Sequence, residues 1–494
     1  MMTFTSQSTK PSSEQLLPLP SVADEFQSRD RMAANLEQLM SELPANNLAL
    51  FGNSPVRSQP YPDWPISDER DVTAVTKVVR SGQWGGIPCA GNYGVTFARQ
   101  FAAMQRGDQA VPPRAVLVAN GSLTMEVALR AANIGWGDEV IVPAYTFQAT
   151  AAAPIAAGAI PVIVDIDPDT YCISPAAIEA AISPQTKAII PVHLGAQMAD
   201  MDAIMDIAQR HDLIVIEDCA HAHGAQWNGR GAGTIGHFGS FSLQSQKILT
   251  TGEGGVLLCR TQALAARAES VVNCGRMPQE TSPNASDSPP ISLSETITKF
   301  IQFSGQEPAF SMGTNYRMTA FQAALGSVAL ERFPAQVAAR EAMLTYLESR
   351  LPEVPGVRLL KREPRHTKRS FYRYIFALDP AVFGAAHDEV CLALQSEGIP
   401  CSTGYRAMHR YSLFQPQQSR LPVPSAFPER FNLEDLHFPE AERACDQEAI
   451  WLDESIFRAG KKGIDDAIAS LLKVQQQAAI LAAAKSAFLK MVPS

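Results

Sequence analysis

From about Pro113 to Leu258 the chain alternates short apolar runs with amphipathic ones. AVLVAN (115–120) leads into LTMEVALRAAN, and EVIVP (139–143) leads into ATAAAPIAAG. PVIVDI (161–166), AIIPVH (188–193) and LIVIED (213–218) follow, separated by PAAIEAAI and MDAIMDIAQRH. Short β-rich runs bounded by turns read as buried strands, and apolar residues three or four apart read as helices. FSL and GVLLC, on either side of SQKILTTGEG, add two more short strands. The alternation predicts an α/β fold, a mostly parallel sheet with helices on both faces. Open sheets of this kind bind ligands outside the carboxyl ends of their strands. Nearly every chemically interesting residue lies just there.

The remainder divides by pattern. Residues 1–50 read as an N-terminal arm, helical from about 22 to 43, and residues 51–330 as the large domain. Within the large domain, 278–309 is polar, proline-containing and without clear period, and reads as a loop or insertion. Residues 315–351 are strongly helical. FYRYIFAL and a helix near DEVCLALQSEG place a smaller α+β domain at 331–475. Residues 464–491 read as one long amphipathic helix whose end, 476–494, forms a C-terminal tail suited to packing or partner contact.

Composition narrows the class. With 494 residues, 46% hydrophobic and 18% charged, the chain has a conventional large core. A net charge of −9 argues against nucleic acid as a partner. The eight cysteines are scattered with no CxxC pair, which fits reduced thiols in a cytoplasmic protein. The first twenty residues lack a signal-peptide apolar region. TAAAPIAAGAIPVIV is too short and too interrupted to span a bilayer. No membrane role is expected.

The chemistry centres on Lys247, where a sheet breaks into a glycine-rich turn. An amine near a desolvated site has a lowered pKa and can form a Schiff base with a carbonyl; the bland alternative is a snorkelling lysine. Asp218 ends the strand LIVIE, where a carboxylate can hold a protonated heterocyclic nitrogen, as a pyridoxal phosphate ring requires, or simply cap a turn. In VANGSLT a strand runs into a helix start whose free N–H groups, with the Ser122 and Thr124 hydroxyls, can take an anion, or where Ser122 merely caps. Neither GxGxxG nor a P-loop is present, which weighs against dinucleotide and ATP. Phe147, just after EVIVP, can lie flat on a cofactor ring or pack in the core, and Ser242 can donate to a phosphate. Asp218, Cys219, His221 and His223 are crowded, but strand alternation sends them to opposite faces, so no metal is expected. The joint occurrence of cradle, ring stack, nitrogen-holding acid and lysine points to pyridoxal 5'-phosphate.

The order ANGSLT, VPAYTFQAT, VDIDPDTY, PVHLGAQMADMDAI, VIEDCAHAHGA, SFSLQSQKILTTGEGG and NYRMTAFQAALG resembles the DegT/StrS family of pyridoxal-phosphate sugar aminotransferases, collinearly over roughly residues 50–475. The resemblance implies fold type I, a homodimer with shared active sites, and glutamine or glutamate as amino donor. It assigns Lys247 to the cofactor linkage and proton shuttle, Asp218 to the pyridine nitrogen and Phe147 to the stacking position. His221 falls beside the ring oxygen. Ser122, Leu123 (through its backbone) and Ser242 fall on phosphate contacts, and Asn273 on an asparagine reaching the neighbouring subunit's phosphate.

Around the lysine, nucleotide-sugar branches commonly read FSFYPTKNLTTGEGG. FSLQSQKILTTGEGG is closer to the branch that aminates cyclitol ketones such as scyllo-inosose. EGIPCSTGYRAMHRYSLF is similar to that branch too, with Tyr405 and His409 facing substrate. His193, Tyr316 and Arg317 are candidates for polar or donor-carboxylate contacts; the first two can equally be core residues, and Arg317 an ordinary ion pair. The arm, the 278–309 insertion and Cys274, where the family commonly has His, depart from the pattern. The expectation is a ping-pong aminotransferase acting on a keto-cyclitol or keto-sugar. A nucleotide-sugar aminotransferase, a dehydratase of the aminohydroxybenzoate-forming type, a cofactor-holding sensor without turnover and a cofactor-free binding protein remain as alternatives. Family dehydratases replace the lysine with histidine, so Lys247 favours transamination.

Overall fold

A computed structural model describes residues 45–87, 89–276, 312–411, 420–432 and 436–491. The expected helix at 22–43 and the insertion at 278–309 lie outside them. A seven-stranded sheet forms the centre: β1 (Arg114–Val118), β2 (Glu139–Pro143), β3 (Ile160–Val164), β4 (Thr186–Ile189), β5 (Ile214–Asp218), β6 (Phe238–Ser242) and β7 (Gly255–Cys259). Their order is β1-β7-β6-β5-β4-β2-β3. Only β7 runs antiparallel to its neighbours in this sheet; the other pairs are parallel.

Strand alternation feeds two separate cores. Leu117, Ile141, Val215, Val256 and Leu258 point to one face, where they join Phe97, Phe101, Ile204 and Phe333 of three covering helices. Val116, Val118, Val140, Val142, Ile216 and Leu257 point to the other, against Met125, Ile155, Ala268 and Val271. Apolar residues at successive positions are what a strand buried on both faces demands. The sheet is thereby rigid at the edge where the strands end.

A second, antiparallel sheet comprises β8 (Val357–Leu359), β9 (Arg373–Leu378), β10 (Cys401–Ser402) and β11 (Ala449–Asp453), in the order β8-β9-β11-β10. It packs through Phe376, Ile450 and Leu452 on helices His387–Ser396 and Gly460–Gln476. The expected boundary at 330 falls inside one continuous helix, Ala320–Arg350, which starts with a capping box between Thr319 and Gln322. Tyr316 and Arg317 therefore precede that helix rather than lying in it. The single helix expected over 464–491 is instead two, Gly460–Gln476 and Ala478–Met491, bent by 61°. Gln477 leaves helical geometry at φ −119° and ψ 17°, and its side-chain oxygen accepts from the Asn47 amide at 3.0 Å. Among the described residues no single helix is long and apolar enough to cross a membrane.

Candidate active site

Four strands of the large sheet deliver their ends to one place. After β1, Asn120 caps helix Gly121–Ala131 by accepting from the Leu123 amide at 3.0 Å. That amide, expected at a phosphate, is thus committed to the cap. The Thr124 hydroxyl is also committed, at 2.5 Å from both the Gly121 carbonyl and Ser240 Oγ, and wholly buried. Ser122 is exposed on the first turn. A Cβ on Gly121 would fall 2.5 Å from Ser242 Cβ, so the glycine lets the end of β6 lie directly against the helix start. The helix start, with Ser122 on its first turn and Ser242 packed against Gly121, thus forms a corner of the kind that can take an anion.

Asp218 ends β5 and is buried. Its Oδ2 accepts from Thr150 Oγ1 at 2.9 Å and its Oδ1 from the Ala220 amide at 3.1 Å. Burial pushes its pKa up, against these donors and the charge of Lys247. Lys247 follows β6 in a turn closed by its own amide onto the Gln244 carbonyl at 2.8 Å. Desolvation lowers its pKa to about 8, opposed by Asp218 and reinforced by Arg373. Trp64 Nε1 donates to the Ser245 carbonyl at 2.8 Å, so the segment before the first long helix is fastened to the lysine's loop.

His221 is held neutral, its pKa driven well down by burial and then by Lys247 and Arg373. Its Nδ1 accepts from the Gly195 amide at 3.3 Å, which leaves the proton on Nε2, 3.4 Å from the Tyr405 hydroxyl. Gly195 has φ +58°, and a Cβ there would strike Ile375 at 2.8 Å, so only glycine fits this loop between His221 and β9. Phe147 is not core: it is 50% exposed, its ring 5.9 Å from that of Tyr405.

Beneath the site, Glu217 is fully buried and accepts from three backbone amides, Gly233, Ile235 and Gly236, at 2.7–2.8 Å, and lies 3.1 Å from His193 Nε2. His193 Nδ1 accepts from the Ala199 amide at 3.3 Å. His193 is therefore corrected from a substrate candidate to a wholly buried partner of Glu217. Its ligand atom and those of Glu217 and Cys219 lie within 4.8 Å of one another. The carboxylate is already filled by amide donors, which makes this a structural anchor for the turn into β6.

The remaining candidates do not gather at the lysine. The Tyr316 hydroxyl donates to Glu126 at 3.1 Å, and Arg317 donates to Asn273 Oδ1 at 3.3 Å. His409 lies 3.3 Å from Glu442. In this chain, then, Tyr316, Arg317 and His409 serve protein partners. Three residues were missed. The Tyr372 ring has Lys247 Nζ 4.1 Å from its centroid, Arg373 stacks on the same ring at 4.5 Å, and Thr150 orients Asp218. The aromatic and basic pair opening FYRYIFAL was the available signal for the first two.

Buried acid, desolvated lysine and anion corner on one edge of such a sheet define a fold type I aminotransferase site. Residues 65–448 match the DegT/DnrJ/EryC1/StrS aminotransferase family, and the chain belongs to it. A Streptoalloteichus tenebrarius protein named for L-glutamine:3-amino-2,3-dideoxy-scyllo-inosose amination is 39% identical over 436 residues, covering 87% of this chain and 98% of its own. The Streptomyces griseus L-glutamine:scyllo-inosose aminotransferase is 34% identical, covering 87% and 97%. The crystal structure of 3-amino-5-hydroxybenzoic acid synthase superposes with a TM-score of 0.68 at 28% identity, covering 84% of this chain and 98% of that one.

Proposed function

We propose that this aminotransferase binds pyridoxal 5'-phosphate and moves the amino group of L-glutamine to a keto-cyclitol of the scyllo-inosose type, in two alternating half-reactions. The names of its relatives support donor and acceptor class. One observation carries the chemistry: Lys247, its pKa near 8, and buried Asp218 lie close enough to shift each other's titration, on the sheet edge that holds the anion corner. The residues present fit the cofactor. The helix start after Asn120, Ser122 and Ser242 would hold its phosphate, Asp218 its ring nitrogen, His221 Nε2–H its ring oxygen and Phe147 its face. Bound there, the group would supply an electron sink that acidifies the amino-bearing carbon.

The protein's own part follows from the geometry. Desolvation holds the Lys247 amine near a pKa of about 8, so an unprotonated amine would be available to link the cofactor and, when free, to take up a proton. Thr150 and the Ala220 amide fix the Asp218 carboxylate, which would hold a proton on the ring nitrogen of the bound group. We also read the working form as a cytoplasmic homodimer in which Asn273 faces a neighbour's phosphate.

The test is the absorption spectrum of the purified holoenzyme before and after L-glutamine, repeated with Lys247→Ala. A visible band that glutamine removes in wild type alone, and that scyllo-inosose restores, supports the proposal. Restoration by a nucleotide-linked keto-sugar but not by scyllo-inosose replaces the acceptor class. An aromatic product replaces amino transfer with dehydration. An unchanged band with every amino donor makes the chain a cofactor-holding sensor.

A further inference from the structure

Eight cysteines scattered through the sequence include two that folding brings into contact, away from the reactive lysine. Cys391 stands in helix His387–Ser396, and Cys401 opens β10, the edge strand of the small sheet. Their sulfurs lie 3.5 Å apart, and the Cys401 thiol also reaches the Cys391 carbonyl at 3.4 Å. Gln395, one helical turn on, ties helix to strand: its Nε2 donates to the Cys401 carbonyl at 2.8 Å and lies 3.7 Å from Cys391 Sγ. The hydrogen bond between the thiols lowers the Cys391 pKa and raises that of Cys401. Cys391 therefore takes the thiolate, the nucleophilic form. From this pair β10 leads straight to the active site. Ser402 pairs with Trp451 of β11, and a Cβ on Gly404 would overlap Trp451 Nε1, so residues 402–405 cannot slide without moving that indole. The Trp451 and Tyr405 rings are 4.8 Å apart.

We propose that Cys391 and Cys401 form an oxidation site, which a peroxide closes into a disulfide and a thiol reductant reopens, and that closure slows the enzyme by displacing the segment that carries Tyr405. The Cys391 sulfur attacks one peroxide oxygen, the O–O bond breaks, and the departing hydroxide leaves as water with the proton that Cys391 gave up. The Cys401 sulfur then attacks Cys391, expelling the hydroxyl it acquired, which leaves as a second water with the Cys401 proton. Two thiols thus lose two electrons to the peroxide, and one S–S bond forms. A disulfide holds its sulfurs about 2.05 Å apart, so closure draws helix and strand about 1.5 Å nearer. With two paired residues and one neighbour in the sheet, β10 is the element that yields. A reducing compartment keeps such a pair open at rest and lets it close transiently.

The experiment treats the reduced holoenzyme with graded hydrogen peroxide, blocks free thiols with N-ethylmaleimide in denaturant, and digests with a glutamyl protease, which cuts between the two cysteines at Glu397. Mass spectrometry should find fragments joined by Cys391 and Cys401, parted by dithiothreitol, before buried Cys172, Cys219 or Cys259 is modified. In the same samples the half-reaction with the ketone that wild type accepts should slow about 10-fold, within the 10²-fold that a misplacement of about 1 Å can cost. Dithiothreitol should restore the rate, and the Cys391→Ser/Cys401→Ser double variant should keep its rate under peroxide. Both thiols free at a dose that oxidises exposed Cys274, a bond to any other cysteine, or a linked pair with an unchanged rate would overturn the proposal. So would an equal loss in the double variant. Wild type recovered with dithiothreitol is its own control, so the test stands even if the double variant fails to fold. Replacement of scyllo-inosose by another acceptor changes the proposed function and leaves this proposal untouched.

Discussion

The two halves of the site are built differently. The large-sheet half, Lys247, Asp218, Thr150 and the Gly121–Ser242 corner, stands on the carboxyl ends of strands buried on both faces. Its polar groups are tied to backbone: Asp218 to the Ala220 amide, Asn120 to Leu123 and Glu217 to a whole turn. The small-sheet half, Tyr372, Arg373, Tyr405 and Trp451, is mostly aromatic, and its polar atoms bond other side chains, as in Trp451 Nε1 donating to the Tyr145 hydroxyl at 2.8 Å. Backbone-tied groups keep their geometry when neighbours change, whereas side-chain networks shift when one member does. The first half suits fixed chemistry and the second suits selection among substrates.

The contrast can be broken by mutation. Lys247→Ala should lower amino transfer by at least ~10³-fold while the protein remains folded, since it removes the nucleophile and proton carrier. Asp218→Asn should cost about 10²-fold or more in kcat, while raising the Tm of the cofactor-free protein. Burial raises the Asp218 pKa in the folded chain, so its stabilising effect belongs to low pH and is lost as pH rises through that raised value; at neutral pH the ionised group opposes folding. A lower Tm in the asparagine variant would refute that account. Glu217→Ala leaves three buried amides and His193 without their acceptor and should destabilise by about 3 kcal/mol, read from urea midpoints.

Variants of the other half should act more narrowly. Tyr405→Phe, which deletes the hydroxyl facing His221, should raise KM for the ketone about threefold to tenfold with kcat nearly unchanged. A kcat collapse there would erase the division of labour. The smallest effect concerns pH. In cofactor-free protein, acylation of Lys247 should rise as pH increases through about 8, because burial holds the folded amine's pKa below that of an exposed lysine. Arg373→Gln should move that midpoint upward by removing a like charge. Peptide mapping of the labelled lysine measures both.

How much of this was legible in the sequence follows the same division. Lys247, Asp218, Phe147 and Ser242 each follow an apolar run that is itself a strand, so local pattern and site position coincide, and the sheet class came with them. His193 stayed undecided between substrate contact and core because its partner, Glu217, lies on a different strand, and only parallel pairing brings the two side by side. Tyr372 and Arg373 were passed over because they stand at the start of a strand in the smaller sheet, and their approach to Lys247 depends on how two sheets dock. The break at Gln477 was missed because amphipathic spacing continues on both sides of it.

Trp64 gives the structure one more consequence. Its indole clasps the Ser245 carbonyl, while Arg458 lies 5.2 Å from its ring and donates to the Pro62 and Asp63 carbonyls at 2.6 and 2.7 Å. A short stretch distant in sequence thus works as a latch bridging the lysine's loop and the C-terminal half. Trimming the chain past that latch would unseat the reactive amine without altering a single residue of the pocket, and protease sensitivity around residue 64 offers a simple gauge of whether the loop is fastened.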